Sequence, residues 1–317
     1  MPLRCSCLRA MSAGILLLGA SAGFSQVYPS KPLRIVTSPP GGGVDFAARL
    51  LAPGLTRALG QPVVVENRGG NAAEIVARAI PDGYTLLVNG TSFWIGPLMR
   101  KSAWDPIRDF VPISFMTTAP NVLVAHPSVP ANSVKELIEL ARARPGTLNY
   151  SSSAIGAAAH LGGELFKSQT GTNIVHIPYK GQGAANAAVL SGEVQLTFAT
   201  PSSVAPMIKA GKLKVFGITS AQPSALAPGV PTIAATVPGY QIGSATALLA
   251  PTGTGVIIIN RLNQEIVRLL NQAEVKEKLL GAGVEVVASS PQAFAAEMKS
   301  EMARLGKVIK DAGLRED

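Results

Sequence analysis

This sequence offers few of the residue constellations that carry out catalysis or bind metals. The three histidines, His126, His160 and His176, show neither the HxH nor the HExxH spacing that is typical of metal sites. Both cysteines, Cys5 and Cys7, lie in the first few residues. The sequence contains no GxSxG elbow between a strand and a helix, so it gives no support for a serine hydrolase. The sequence therefore predicts a binding protein rather than an enzyme, with no metal site and no cofactor.

A glycine-rich segment, SPPGGGVDFAARLL at 38–51, joins a short apolar strand to a helix. Glycines can adopt left-handed dihedrals and let a ligand come close to the backbone, and the helix that follows presents unpaired N–H groups. The segment Pro40–Gly43, with Gly41 and Gly42, is either a cradle for an anion or a plain tight turn. It is not a P-loop, because no Gly-Lys-Ser/Thr follows.

Further loops follow other apolar segments and are candidates for the same ligand site. Loops at the carboxyl ends of strands meet in the cleft of an α/β fold. Each candidate also has a structural interpretation, since serines cap helices, exposed lysines are solvated and aromatic residues pack in cores. The candidate ligand contacts are Thr91, Ser92 and Trp94, then Ser152, Ser153, Gly156, Ala157, Ala158 and His160, then Tyr179 and Lys180, and finally Thr200.

Short apolar runs alternate with helical stretches along the chain, which predicts an α/β fold with mainly parallel sheets flanked by helices. Proline-rich connections at 127–130 and 223–239 indicate two lobes with a cleft between them, and 239–251 reads as an extended segment that crosses back. The expected organisation is a first lobe at 27–124, a second lobe at 125–245, and a return of 246–317 to the first lobe. The apolar runs are 33–37, 63–67, 84–89, 121–126, 148–152, 174–179, 194–199 and 213–220.

Two local signals concern helices. Ser133 followed by Glu136 predicts a capping box at the start of a helix near residue 134. The pair Pro53-Gly54 is expected to kink the first helix, because proline removes a backbone donor and clashes with the preceding turn.

The first 26 residues have the parts of a secretory signal. Arg4 and Arg9 give a basic start, 11–19 is a short apolar core, and small residues precede a cleavage site near Gln26. The expected product is a soluble periplasmic protein. Loss of the two arginines lowers the formal net charge from +9 to about +7, with no basic run of the kind that binds nucleic acid. A weak positive field suits small anions better.

Many segments in order resemble the substrate-binding proteins of tripartite tricarboxylate transporters, the Bug (TctC-type) family. This resemblance covers nearly the whole chain after the leader and implies a monomeric receptor whose two lobes close on a small organic carboxylate. The receptor would deliver its ligand to a membrane permease with one large and one small subunit. The segments include YPSKPLRIV (28–36), PPGGGVDFAARLLA (39–52), LGQPVVVENR (59–68), PDGYTLL (81–87), PNVLVAHPSVPANSVKEL (120–137), LNYSSSAIGAAAHLGGELFK (148–167), VHIPYKG (175–181) and IKAGKLKVFGITS (208–220).

In such proteins the first loop holds a carboxylate through backbone N–H groups and ordered water. On that basis Gly41–Gly43 would let the backbone approach the ligand, and Asp45 would fold back to accept first-turn N–H groups instead of repelling the anion. The resemblance leaves open a different role, in which the same fold senses its ligand and docks to a signalling protein.

Three alanines depart from the family pattern. Ala157, Ala158 and Ala199 stand where hydroxyl or acidic residues are usual, so the far half of the site is expected to be less polar. This composition favours a monocarboxylate with a hydrophobic or aromatic body, stacked near Trp94 or Phe93, over a di- or tricarboxylate.

Overall fold

The computed structural model describes residues 28–41, 43–153 and 155–314, so the predicted leader and Gly42 lie outside the described residues. Strand positions follow the apolar runs of the sequence closely, and β1 and β2 coincide with their predictions. The strands are β1 (Leu33–Thr37), β2 (Val63–Asn67), β3 (Thr85–Gly90), β4 (Phe110–Pro120), β5 (Val122–Ala125), β6 (Asn149–Ser152), β7 (Val175–Pro178), β8 (Leu196–Ala199), β9 (Lys214–Ile218), β10 (Gly243–Pro251) and β11 (Glu285–Val286).

Helices fill most of the connections between strands. A helix forms directly after β3, where the sequence predicted only a loop. The helices are α1 (Gly43–Leu59), α2 (Ala72–Ala77), α3 (Ser92–Met99), α4 (Val134–Ala143), α5 (Ala158–Thr170), α6 (Gln182–Leu190), α7 (Pro201–Lys209), α8 (Val256–Leu270), α9 (Ala273–Gly281) and α10 (Pro291–Asp311). Among these described helices, none combines the length and hydrophobicity needed to cross a bilayer.

The strands form two sheets, one in each lobe, which confirms the predicted two-lobed α/β fold. The first sheet has the order β11-β4-β10-β3-β1-β2 and the second β7-β6-β8-β5-β9. The sheets are mixed, whereas the sequence predicted mainly parallel ones. In the first, β1 runs parallel to β2 and β3, but β10 and β4 pair antiparallel. In the second, β6 is parallel to β7 and β8, and β5 is antiparallel to β8 and β9.

The chain passes between the sheets at two neighbouring places. Strand β5 belongs wholly to the second sheet and β10 begins in the first at Gly243, so the crossings lie a few residues earlier than the boundaries expected at 124/125 and 245/246. They are hydrogen-bonded together, because Asn121 donates its N–H to the Thr219 hydroxyl at 2.8 Å and Ile242 donates to the Thr219 carbonyl at 3.0 Å. The two crossings therefore lie side by side.

Buried apolar side chains hold the helices on the sheets and continue between the lobes. Helices α1 and α8 cover one face of the first sheet through residues such as Leu55 and Ile266. A second cluster runs from Phe294 of α10 to Tyr150 of β6 in the other lobe. Helix α10 therefore contributes to the packing of both lobes.

The predicted capping box at Ser133 forms in part, and the predicted kink at Pro53 does not interrupt α1. Ser133 accepts the Glu136 N–H at 3.1 Å, as predicted, but Glu136 returns its carboxylate to the N–H of Asn132 rather than to that of Ser133. Helix α1 continues without a break through Pro53. The glycine that follows allows close packing, because a Cβ on Gly54 would lie 2.6 Å from Cδ2 of Leu269 on α8.

Candidate ligand-binding site

A cavity of about 450 Å³ lies between the lobes. It is bounded by the start of α1, the length of α3, the loop before α5, the start of β10 and one residue of α10. Its lining residues are Val44, Gly90, Thr91, Ser92, Ile95, Gly96, Met99, Arg100, Ile155, Gly156, Ala157, Ala158, Leu161, Ile242, Gly243, Ser244, Ala245 and Leu305. Five of the sequence-predicted contacts are in this set, namely Thr91, Ser92, Gly156, Ala157 and Ala158.

One face of α3 forms the wall that belongs to the first lobe. Ser92, Ile95 and Met99 line the cavity, and residues spaced by three or four lie on one side of a helix. The N-terminus of α3 has no side-chain cap, because the hydroxyl of Thr91 is turned away and accepts the N–H of Ala245 at 2.8 Å. Thr91 thus joins the β3–α3 turn to β10 and leaves the first-turn N–H groups of α3 without a side-chain partner.

The wall that belongs to the second lobe is the loop before α5 and the first turn of that helix. Ala157 is the N-cap of α5 and offers no side-chain hydrogen bond, so the first N–H groups of this helix also lack a side-chain partner. Gly156 has φ +77°, which a side chain rarely tolerates, and its N–H donates to Nδ1 of His160 at 2.9 Å. Two uncapped helix N-termini, one from each lobe, therefore face the same cavity.

The predicted glycine-rich loop contributes less to the cavity than expected. Of this region only Val44 lines it; Pro40, Gly41 and Gly43 lie outside, and Gly42 is beyond the described residues. Gly41 has φ +86° and donates its N–H to Asp45 at 3.0 Å. That N–H is therefore directed to Asp45.

Asp45 is folded back, with 5% of its surface exposed. It accepts hydrogen bonds from Asn67 at 2.8 Å and Arg49 at 2.9 Å, besides the loop N–H of Gly41, rather than from the first-turn N–H groups that the sequence suggested. The bond from Asn67, helped by those from Gly41 and Arg49, holds the pKa of the Asp45 carboxyl below its usual range. Asp45 therefore has a structural role, because its hydrogen bonds hold the glycine-rich loop in position.

The expected aromatic shelf does not form. Trp94 was predicted to contact the ligand, but it is 1% exposed and its indole N–H donates to Glu301 of α10 at 2.7 Å. Its ring packs edge-on against Phe294, and Phe93 is equally buried against Phe110. Position in the first turn of α3 directs both rings into the core, so neither can stack on a ligand in the cavity.

Several polar residues predicted in the second lobe lie behind the cavity wall or away from it. Ser152 is fully buried and its hydroxyl is 2.7 Å from Nε2 of His176. His160 is 2% exposed, and its Nδ1 accepts the N–H of Gly156 in the cavity wall. Ser153, Tyr179, Lys180 and Thr200 are not among the lining residues, and the Tyr179 hydroxyl donates to Glu193 at 2.9 Å. Ala199 is buried in β8, also outside the cavity.

Sequence reasoning missed the cavity residues that lie outside the predicted loops. They include Ile95 and Met99 of α3, Arg100 directly after it, Leu161 of α5, Ser244 and Ala245 of β10, and Leu305 of α10. The sequence did predict that 239–251 is extended and crosses back to the first lobe, and that signal could have placed β10 at the cleft.

A compact polar cluster supports the α5 loop from behind. The rings of His160 and His176 stack with centroids 4.0 Å apart, and Glu164 accepts from the Tyr150 hydroxyl and from Lys167, each at 2.8 Å. Burial, reinforced by the neighbouring His160 ring, lowers the pKa of His176 to about 4. Burial also lowers the pKa of His160. Lys307 and Asp311 of α10 line the same side of the cluster.

These two lowered pKa values predict loss of stability in mild acid. An unfolded histidine takes up a proton near pH 6.5, whereas folded His176 does so only near pH 4. Between those values the unfolded chain binds more protons, so the free energy of unfolding falls by up to about 1.4 kcal/mol per pH unit through His176 as pH decreases, and His160 adds to the same trend.

Urea unfolding of the protein without its leader, followed from pH 7 to 4, measures this slope. The H176N variant should show a shallower slope, while H126N should match the parent protein, because His126 bonds to Ser128 away from the cluster. Equal slopes for all three proteins would contradict the assignment.

Comparison with known proteins identifies the family of this chain. The sequence matches the tripartite tricarboxylate transporter family receptor, TctC, over residues 47–314. BugT of Bordetella pertussis is 35% identical over 300 residues, which cover 92% of each chain. The structure of Rpa4515 of R. palustris with adipate is 35% identical, with a TM-score of 0.68 over 90% of this chain and 98% of that one. MatC of Rhodopseudomonas palustris with bound malate is 28% identical, with a TM-score of 0.65 over 89% and 100%. The chain therefore belongs to the TctC family of tripartite tricarboxylate transporter receptors.

Proposed function

We propose that this protein is a periplasmic solute-binding receptor that captures a small organic carboxylate between its lobes and delivers it to a tripartite permease with one large and one small subunit. The protein binds its ligand as a monomer and does not convert it chemically. The ligand occupies the cavity between α3 and α5.

The observation that supports this function best is the pair of uncapped helix N-termini at one cavity. The first N–H groups of α3 and of α5 lack side-chain partners and lie on opposite walls. Unpaired N–H groups and the helix dipole favour a negative group at this position. We assign the carboxylate contacts to the backbone at Ser92 and at Ala157–Ala158, with the Ser92 hydroxyl as a further donor.

Lobe closure follows from the two strand crossings. The hydrogen bonds of Asn121 and Ile242 to Thr219 tie the crossings together, so the lobes would rotate about one narrow region. A ligand bound to α3 of the first lobe and α5 of the second would favour the closed arrangement.

The known relatives support the ligand class and the cellular setting. Rpa4515 and MatC were solved with adipate and malate, both small carboxylates. The leader-like N-terminus and the family membership support export and a permease partner.

A thermal-shift screen of organic acids on the protein without its leader tests the function. A ligand at a hundred times its Kd should raise the free energy of unfolding by about 2.7 kcal/mol, which increases the melting temperature measurably. Matched amines and sugars should give no shift. A clear response to amines or sugars, with none to any acid, would contradict the proposal.

A further inference from the structure

Arg100 supplies a positive charge at the cavity that the sequence did not single out. It follows the last residue of α3 and is the one charged side chain among the cavity-lining residues that the structure describes. It is exposed. Its side chain forms no hydrogen bond or ion pair with any described residue. Its guanidinium is therefore available to a ligand.

The position of Arg100 can be assigned to one end of the cavity. Met99, directly before it, reaches across to the second lobe, where a Cβ on Gly156 would lie 2.8 Å from its Cε atom. Arg100 and the uncapped start of α5 at Ala157 therefore lie at the same end. Ser92, at the other end of α3, is eight residues away, or about 12 Å along the helix axis.

The wall between these ends is apolar. Ile95 and Met99 of α3, Leu161 of α5, Ile242 and Leu305 all line the cavity. A chain of methylene groups would lose contact with water along this wall, at a gain of about 0.8 kcal/mol for each group fully buried.

We propose that Arg100 is a specificity-determining residue that binds the second carboxylate of an elongated aliphatic dicarboxylate. The first carboxylate lies at the N-terminus of α3, the methylene chain lies along Ile95 and Met99, and the second carboxylate bridges Arg100 and the N-terminus of α5. An arginine can bind a carboxylate with two parallel hydrogen bonds. This assignment rests on the proposed function.

The proposal changes the ligand class that the alanines suggested. Ala157 and Ala158 do stand in the cavity wall, but the cation across from them can partner a second carboxylate that their side chains cannot. Ala199 and Trp94, the other supports for an aromatic monocarboxylate, lie outside the cavity.

Calorimetry with adipate and hexanoate tests the role of Arg100, because the two acids have the same carbon chain and differ in the second carboxylate. The parent protein should bind adipate at least tenfold more tightly than hexanoate, in keeping with the strength of a hydrogen bond between charged groups. In R100Q the affinity for adipate should fall at least tenfold while that for hexanoate stays the same. K101Q removes the same charge from the next residue, outside the cavity lining, and should behave as the parent protein.

Chain length provides a second readout. Adipate and suberate should bind more tightly than succinate, whose carboxylates are too close together to reach both ends. An unchanged affinity for adipate in R100Q, or an equal loss for hexanoate, would overturn the role of Arg100 and leave the carboxylate receptor intact. Binding of neither acid, with no acid active in the thermal-shift screen, would count against the proposed function itself.

Discussion

Replacing Gly156 with alanine is expected to weaken ligand binding by about 100-fold, or about 2.7 kcal/mol. Gly156 has φ +77°, a conformation that costs an L-residue roughly 1–2 kcal/mol, and its new Cβ would lie 2.8 Å from Cε of Met99. The loop should relax to a different backbone conformation. That change would move the N–H groups at Ala157 and Ala158 away from the cavity and release the bond to His160.

Gly171 provides the matched control for this substitution. It ends the same helix with φ +63°, and a Cβ there would meet nothing within 4 Å. G171A should lose about 1 kcal/mol of stability through the same kind of backbone strain and retain full affinity. Calorimetry with the most strongly responding acid, together with urea unfolding, separates the two effects. An affinity of G156A equal to that of G171A would show that the α5 loop does not form the site.

Most of the fold could be predicted from the sequence because most strands are short, continuous apolar runs. Such runs are easily recognised as buried strands. Sequence reasoning missed α3, whose Gly96 and Pro97 are poor helix formers, although burial of Phe93 and Trp94 holds the helix in place. It also missed β4, which contains prolines at 112 and 120. The antiparallel pairing of β10 with β3 and with β4 makes the first sheet mixed, and such long-range pairing leaves no local signal.

The site was predictable where it depends on loops that follow strands, as at Ser92 and Ala157. The glycine-rich loop was less informative. Its glycines also allow the turn in which the Gly41 N–H donates to Asp45, so their presence does not by itself indicate a ligand. Arg100 was not predictable, since a single arginine in sequence resembles any solvated surface charge. The fold places it at the cavity, next to Met99, which packs against Gly156.

The second large effect is expected in the core beneath the site, from replacement of Gly163 with alanine. Gly163 lies on α5 against the ring of Tyr150, and a Cβ there would overlap the ring, with Cδ2 at 2.8 Å. Tyr150 is 1% exposed and its hydroxyl donates to Glu164 at 2.8 Å, so the ring cannot move without breaking that bond. Overpacking of this kind should lower the free energy of unfolding by about 3 kcal/mol.

The adjacent Gly162 is the control, because it lies on the same helix and its Cβ would meet its nearest neighbours, Ile242, Phe198 and Tyr240, at an ordinary 3.4 Å. Alanine is favoured over glycine in a helix by about 1 kcal/mol, so G162A should be neutral or slightly more stable in urea unfolding. Equal stabilities of G162A and G163A would show that Tyr150 does not fix the position of α5. If Tyr150 does fix it, G163A should also bind its ligand more weakly than G162A, because the first turn of this helix is the second-lobe wall of the cavity.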